Sequence, residues 1–294
     1  MARVLCTTPL QPGAAEALRG HHVEIGPPGS DPAAAALICT PVEPVSAAAI
    51  AAMPALRVIC VAGAGTDAVD GRAAAARGIE ILASPEPLVE TTADVAFGLI
   101  IAAARRFTAE EQRLRSGGWR GWEFMPSNGA LDVHGAALGL VGFGRIARAV
   151  ARRAAGFAMQ VRHHTRTDTG EPGWTEDLDE LLAVSDIVSL HVPLTDTTRG
   201  LIDARRLALM APHAVLVNTA RGQIVDEAAL AAALRTGRLG GAGLDVFDGE
   251  PAVRPELLAA PNATLLPHIG SATERSREAM LTAAAGKAAA ALAS

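Results

Sequence analysis

Short apolar runs recur along the chain, and apolar residues at helical spacing fill the intervals between them. In the first third, residues 3–6, 37–40 and 58–61 read as strands, and the alanine-rich stretches 14–18 and 45–52 between them read as helices. Strand and helix in alternation predict a parallel sheet covered by helices on both faces. A long helix is predicted over 89–106, with Thr91, Thr92 and Asp94 in its first turns, and its length and position suggest a connector between two domains. A second alternating series begins at Ala137, with strands predicted at 138–141, 159–163, 187–191, 215–218, 243–247 and 264–266. Helices fall near 145–157, 178–184, 203–209 and 227–236, so six short strands predict one doubly wound sheet. The expected fold class is α/β, with two doubly wound parallel-sheet (Rossmann-like) domains.

Composition narrows the class without changing this picture. The 294 residues are 50% hydrophobic and 19% charged, ordinary for a globular protein long enough to bury a core without metal or disulfide staples. A net charge of −5 with interspersed signs, no Tyr and only 3% aromatic residues argue against a nucleic-acid partner. Arg145, Arg148, Arg152 and Arg153 fit a solvated helix face. Cys6, Cys39 and Cys60 lie in or beside apolar runs without metal-ligand or redox spacing, so they are expected as buried strand thiols in a reducing compartment, with no metal site. The N-terminus enters a strand-like run without a signal-peptide core, and the apolar run 95–104 is too short to span a bilayer. A cytoplasmic protein with no membrane partner is expected. Segment 117–125 is glycine-rich and clusters Trp119, Trp122 and Phe124; it fits packing on a partner subunit, lining of a pocket, or burial within its own domain.

The chemistry begins at Gly142-Phe143-Gly144-Arg145-Ile146-Ala147, a G-x-G-x-x-A turn placed between an apolar strand and an amphipathic helix. Gly142 permits the tight turn, Gly144 admits the pyrophosphate, and Ala147 is small enough for close helix–strand packing. The following helix directs free N–H groups at the phosphates, with Ile146, Val150, Ala154 and Phe157 as its expected buried stripe. NAD sites place an acid about 20 residues on, at the end of the next strand, to bind the ribose hydroxyls. Here His163-His164-Thr165-Arg166-Thr167 stand 21 to 25 residues past Gly142, with Thr165 at the carboxylate's place and Arg166 beside it. A guanidinium fork suits a 2′-phosphate, so NADP(H) is favoured over NAD(H); Asp168 lies one residue further on.

Three polar segments follow strands: Asn218-Thr219-Ala220-Arg221-Gly222, Asp245-Val246-Phe247-Asp248-Gly249-Glu250-Pro251, and Pro267-His268-Ile269-Gly270-Ser271-Ala272-Thr273. Strand ends of doubly wound sheets open onto the ligand site, so Arg221, Glu250 and His268 can converge despite spacings of 29 and 18 residues. Together with the glycine turn, these segments make the chain resemble the D-isomer-specific 2-hydroxyacid dehydrogenase family over nearly its whole length. The Gly-Trp…Trp-Glu loop and the Pro-His-Ile-Gly-Ser-Ala-Thr segment are most similar to the glyoxylate/hydroxypyruvate reductases of that family.

The resemblance implies reduction of a small 2-keto acid to the D-2-hydroxy acid by NAD(P)H. It implies His268 as acid/base, Glu250 as its partner carboxylate, and Arg221 and His268 as substrate-binding residues. Ala64 and Gly65, in the loop 61–65, resemble the family's carboxylate-binding loop. Gly142, Phe143, Gly144, Arg145 and Ile146 form the implied phosphate turn, with Thr165 and Arg166 at the ribose. Val192, Pro193 and Thr198 fall on the adenosine side, and Thr219, Asp245 and Gly270 on the nicotinamide side. The implied substrate-binding domain comprises 1–92 and 268–294, and the implied dinucleotide-binding domain 93–267, with the catalytic cleft between them and a homodimer as the assembly. Ala147 departs from the family's third glycine, and the C-terminal helix reads as short and alanine-rich. Two other activities are compatible with the scaffold: a non-catalytic NAD(P)-sensing module, and a formate or phosphite dehydrogenase. Formate enzymes of the family carry an amide where this chain has Glu250.

Overall fold

A computed structural model describes residues 1–125 and 128–293; Pro126, Ser127 and Ser294, which fall inside the expected domain ranges, lie outside it. The chain divides into two compact units, Met1–Thr91 with Ser271–Ser294, and Thr92–Gly270. The first opens with β1 (Arg3–Cys6), α1 (Pro12–Ala17), β2 (His22–Ile25), β3 (Ala34–Cys39), α2 (Ala47–Ala51), β4 (Val58–Val61), α3 (Gly71–Ala76) and β5 (Glu80–Ala83). Its five strands are all parallel, in the order β2-β1-β3-β4-β5. The central β3 and β4 are almost wholly buried, which is why they read as unbroken apolar runs. The sequence pattern missed β2 and β5 because they are edge strands: His22 and Glu24 on β2 and Glu80 on β5 break the apolar signal. All three cysteines are buried in this sheet, and burial pushes each thiol up to about 12, so they pack as neutral apolar groups.

The second unit takes up nearly all of α4 (Val89–Ala104), then α5 (Phe107–Arg115), β6 (Ala137–Val141), α6 (Arg145–Ala155), β7 (Gln160–His164), β8 (Trp174–Thr175), α7 (Leu178–Val184), β9 (Ile187–Leu190), α8 (Ala204–Leu207), β10 (Val215–Asn218), α9 (Glu227–Arg235), β11 (Gly241–Leu244), α10 (Pro255–Leu258) and β12 (Ala263–Leu265). Seven parallel strands run in the order β12-β11-β10-β9-β6-β7-β8. This is the doubly wound order with one strand added at an edge, and β6 and β9 flank the switch point. β8, two residues long, is the strand missing from the expected six. With the short turn before it, α4 forms a helix over Glu86–Ala104 long and apolar enough to cross a membrane by length and composition; Ala96, Phe97, Leu99, Ile100, Ala103 and Ala104 are nevertheless buried in the protein.

The final helix, α11 (Glu274–Ala293), returns to the first unit. Its 20 residues correct the expectation of a short C-terminal helix. Alanine carries the highest helix propensity, and the small side chains let Met280, Leu281, Ala284, Ala285 and Ala288 lie flush against α1, β3 and β4.

Candidate active site

Every polar segment singled out in the second unit lies at the carboxyl end of one of its strands. After β6, Gly142 has φ +89°, and its N–H donates to the His164 carbonyl at 2.9 Å. A Cβ there would sit 2.7 Å from the His191 carbonyl oxygen, so only glycine allows the turn. Gly144 caps α6, and a Cβ on it would meet nothing within 4 Å, which leaves open space where the first N–H groups of the helix emerge. Ala147 is fully buried and continues as a stripe through Val150 and Ala154. Ile146 is half-buried and Phe157 lies beyond the helix end, its ring 4.9 Å from that of Phe97. The expected stripe is therefore corrected by a small rotation that turns the alanines to the sheet, because small side chains permit the closest approach. The Phe143 ring stacks on buried His163 at 3.7 Å, with the Arg148 guanidinium 4.6 Å from the same ring.

β7 ends at His164, so Thr165 and Arg166 emerge just past the strand. Thr165 Oγ1 donates to the Thr167 carbonyl at 2.7 Å and accepts from Trp174 Nε1 at 3.1 Å. Arg166 is exposed and has no hydrogen-bond or ion-pair partner among the described residues. Asp168 Oδ1 accepts the Gly170 N–H at 2.8 Å. Beyond β9, Thr198 Oγ1 donates to the Pro193 carbonyl at 2.6 Å and accepts the Thr195 N–H, which closes the loop following Val192 and Pro193. His191 Nε2 lies 3.0 Å from Ser189 Oγ, and burial pushes its imidazole down to about 4.

The other end of the sheet is denser. Asn218, at the end of β10, accepts the Ala220 N–H through Oδ1 and donates through Nδ2 to the Arg221 carbonyl at 2.8 Å, which folds a tight turn and presents Arg221. Thr219 Oγ1 is buried without a partner among the described residues. Gly222 abuts the peptide between Phe247 and Asp248: a Cβ on it would come within 2.0 Å of the Phe247 carbonyl carbon. Asp245, buried just past β11, accepts the N–H groups of Ile269 at 2.7 Å and Gly270 at 2.8 Å. Burial raises its pKa, partly opposed by those two donors. Its carbonyl also takes the His268 N–H at 2.8 Å, so Asp245 shapes the whole turn after β12.

Within that turn His268 adopts φ +53°, an uncommon conformation for a residue with a side chain. Its Nδ1 lies 2.7 Å from Glu250 Oε2, while Glu250 Oε1 accepts the Phe247 N–H at 2.8 Å. Burial pushes the Glu250 carboxyl up, but the hydrogen bonds from His268 and Phe247, with the charges of His268 and Arg221, hold it below the usual carboxylate range. The two side chains are 30% and 29% exposed, accessible yet partly shielded from water. They edge a pocket of about 280 Å³ otherwise lined by Phe247, Pro251, Val253, Leu258, Leu265, Leu266 and Pro267. Ala64 and Gly65 follow β4 in the first unit; the Gly63 carbonyl of their loop accepts the Ser84 N–H at 2.8 Å.

Arg221, Glu250 and His268 thus lie on adjacent strand ends of one sheet, and Glu250 bonds His268 directly. Sequence reasoning named Asn218 and Gly222 within a polar segment but gave neither its role in holding the site. An Asn directly after a strand is a turn signal; the need for Gly222 arises from a segment 25 residues away and leaves no local mark.

Residues 97–270 match the model of the D-isomer specific 2-hydroxyacid dehydrogenase NAD binding domain. Glyoxylate reductase of Thermococcus litoralis is 44% identical over 236 residues, covering 77% of this chain and 71% of that protein. A solved protein of Thermus thermophilus superimposes with a TM-score of 0.89 at 41% identity, over 99% of this chain and 97% of the other. The NADPH-dependent glyoxylate/hydroxypyruvate reductase of Sinorhizobium meliloti, solved in complex with NADP and malonate, gives a TM-score of 0.85 at 34% identity, over 95% and 90%.

Proposed function

The chain belongs to the D-isomer specific 2-hydroxyacid dehydrogenase family, and from that premise we propose that it reduces a small 2-keto acid, glyoxylate or hydroxypyruvate foremost, to the D-2-hydroxy acid. The observation that carries the reading is the 2.7 Å bond between His268 Nδ1 and Glu250 Oε2 at the carboxyl ends of a sheet that begins with a dinucleotide turn. With Nδ1 engaged by the carboxylate, Nε2 is the proton-bearing atom left for substrate. The Glu250 carboxylate compensates positive charge on the ring during the reaction. His268 donates that proton to the ketone oxygen as the carbonyl carbon is reduced, then regains one from solvent. When bound, a reduced nicotinamide supplies the hydride. Arg221 pairs with the substrate carboxylate and polarises the ketone through its planar fork.

The residues fit a dinucleotide. Gly142 and Gly144 leave backbone free for the diphosphate beside Phe143, Arg145 and Ile146 at the α6 N-terminus. Val192, Pro193 and Thr198 form the adenosine side, and the Thr219 hydroxyl, buried without a partner among the described residues, forms the nicotinamide side with Asp245 and Gly270. NADP(H) is the cofactor assigned. Its support is an exposed Arg166 beside Thr165, without a partner among the described residues, and an Asp168 carboxylate turned back onto its own loop. Residues 93–267 form the dinucleotide-binding domain of this reading, and 1–92 with 268–294 the substrate domain. The working assembly is a homodimer through α4 and the segment 117–125, where Trp122 and Phe124 are each 81% exposed. A panel of 2-keto acids assayed with NADPH and NADH tests the function: glyoxylate or hydroxypyruvate should be reduced, faster with NADPH. Tight dinucleotide binding without turnover would instead make the protein a cofactor sensor.

A further inference from the structure

Glu227 opens α9, where an exposed acid would ordinarily do no more than complement the helix dipole. The Asp226 side chain already caps the helix by accepting the Ala229 N–H at 3.0 Å. Glu227 does something else. Its side chain is only 4% exposed, and Oε1 accepts the backbone N–H of Asp248 at 2.7 Å. Oε2 is buried without a hydrogen bond among the described residues, with Arg254 Nε at 3.9 Å. Burying a carboxylate for one backbone bond is costly, so the bond it makes matters.

The peptide it holds is the junction of the site. The Phe247–Asp248 unit rests on Gly222, directly after Arg221, and the Phe247 N–H donates to Glu250 Oε1, whose other oxygen bonds His268. We infer that Glu227 is a positioning residue: by anchoring the Asp248 N–H it sets the orientation of Glu250 towards His268 and the seat of Arg221. The inference rests on the reading of His268 as the acid of the reaction. Glu227 touches none of the reacting atoms. The charged groups around it are Asp248, Arg254 and Glu250, and burial raises its own pKa.

The test is a set of pH profiles of kcat and kcat/KM for the wild-type enzyme, Glu227→Leu, Glu227→Gln, Glu250→Gln and the Glu227→Leu/Glu250→Gln double variant, with thermal unfolding and NADPH affinity measured on each. Glu227→Leu is expected to lower kcat by about ten- to a hundredfold, the loss typical of misplaced catalytic groups. It should move the alkaline limb of reduction to lower pH, as Glu250→Gln does, and leave NADPH affinity unchanged. Glu227→Gln, which retains an acceptor for the Asp248 N–H, should restore most of kcat. In the Glu250→Gln background, Glu227→Leu should add little. If the leucine variant does not fold, Glu227→Asp, which draws the carboxylate back by one methylene, takes its place with the same expectations. A wild-type pH profile in Glu227→Leu, a loss as large in the glutamine variant, or full additivity in the double variant would each overturn the inference. Failure of the underlying reading looks different: the wild-type protein reduces no 2-keto acid, or Glu250→Gln leaves the profile unmoved.

Discussion

The two ends of the seven-stranded sheet are built on opposite principles. At β10–β12 each functional group is held by others within the protein: Asn218 shapes the turn of Arg221, Asp245 that of His268, and Glu250 ties His268 to the Phe247 backbone. At β7 Thr165 is tied locally, but Arg166 projects without a partner among the described residues. Groups that move protons gain from being fixed before substrate arrives, since reorganisation during the reaction would add to the barrier. On the proposed reading, a guanidinium that recognises a phosphate can order itself on binding, because the ligand supplies the missing partner.

The contrast is most vulnerable at the fixed end. His268→Ala is expected to lower kcat by about 10²- to 10⁴-fold while NADPH binding, followed by fluorescence or calorimetry, persists; retained activity would remove His268 from its role. Next in size is Gly222→Ala. Its methyl group cannot coexist with the Phe247–Asp248 peptide, so the loop bearing Glu250 must shift, and a loss of about a hundredfold in kcat/KM is expected from the displaced pair. At the open end, Arg166→Ala should raise KM for NADPH by about ten- to a hundredfold, the worth of a charge-assisted hydrogen bond, and leave KM for NADH unchanged. A preference for NADH in the wild-type enzyme would reverse the cofactor reading.

A smaller change is expected between the two ends, at His191. Its folded pKa of about 4 is below the ordinary value of 6.5, so the neutral ring's contribution is complete above pH 6.5 and is lost as pH falls towards 4. A destabilisation on the order of 2 kcal/mol is expected over that window, with a shallower fall of Tm in His191→Asn. Equal slopes in the two proteins would show that another group carries the acid sensitivity.

Much of this was legible because its causes are local. Buried central strands such as β4 and β9 need continuous apolar runs, and the glycine turn carries its own geometry at Gly142. Strand ends were less legible: β11 stops at Leu244 rather than at the expected residue 247, and just beyond it the Asp245 carboxylate accepts N–H groups from the turn after β12. The edge strands β2 and β5 escaped notice for the reason that makes them edges, since one open side relaxes the demand for apolar residues.

Residue type and short spacing were enough for the alternation of strand and helix and for the glycine turn, while the resemblance to a family is what singled out Arg221, Glu250 and His268. Which groups orient those three depended on the assembled sheet. Glu227 reaches Asp248 across 21 residues and Asp245 reaches Gly270 across 25. A side chain's hydrogen-bond partner depends on which strands lie side by side, and that adjacency exists only once the sheet has formed.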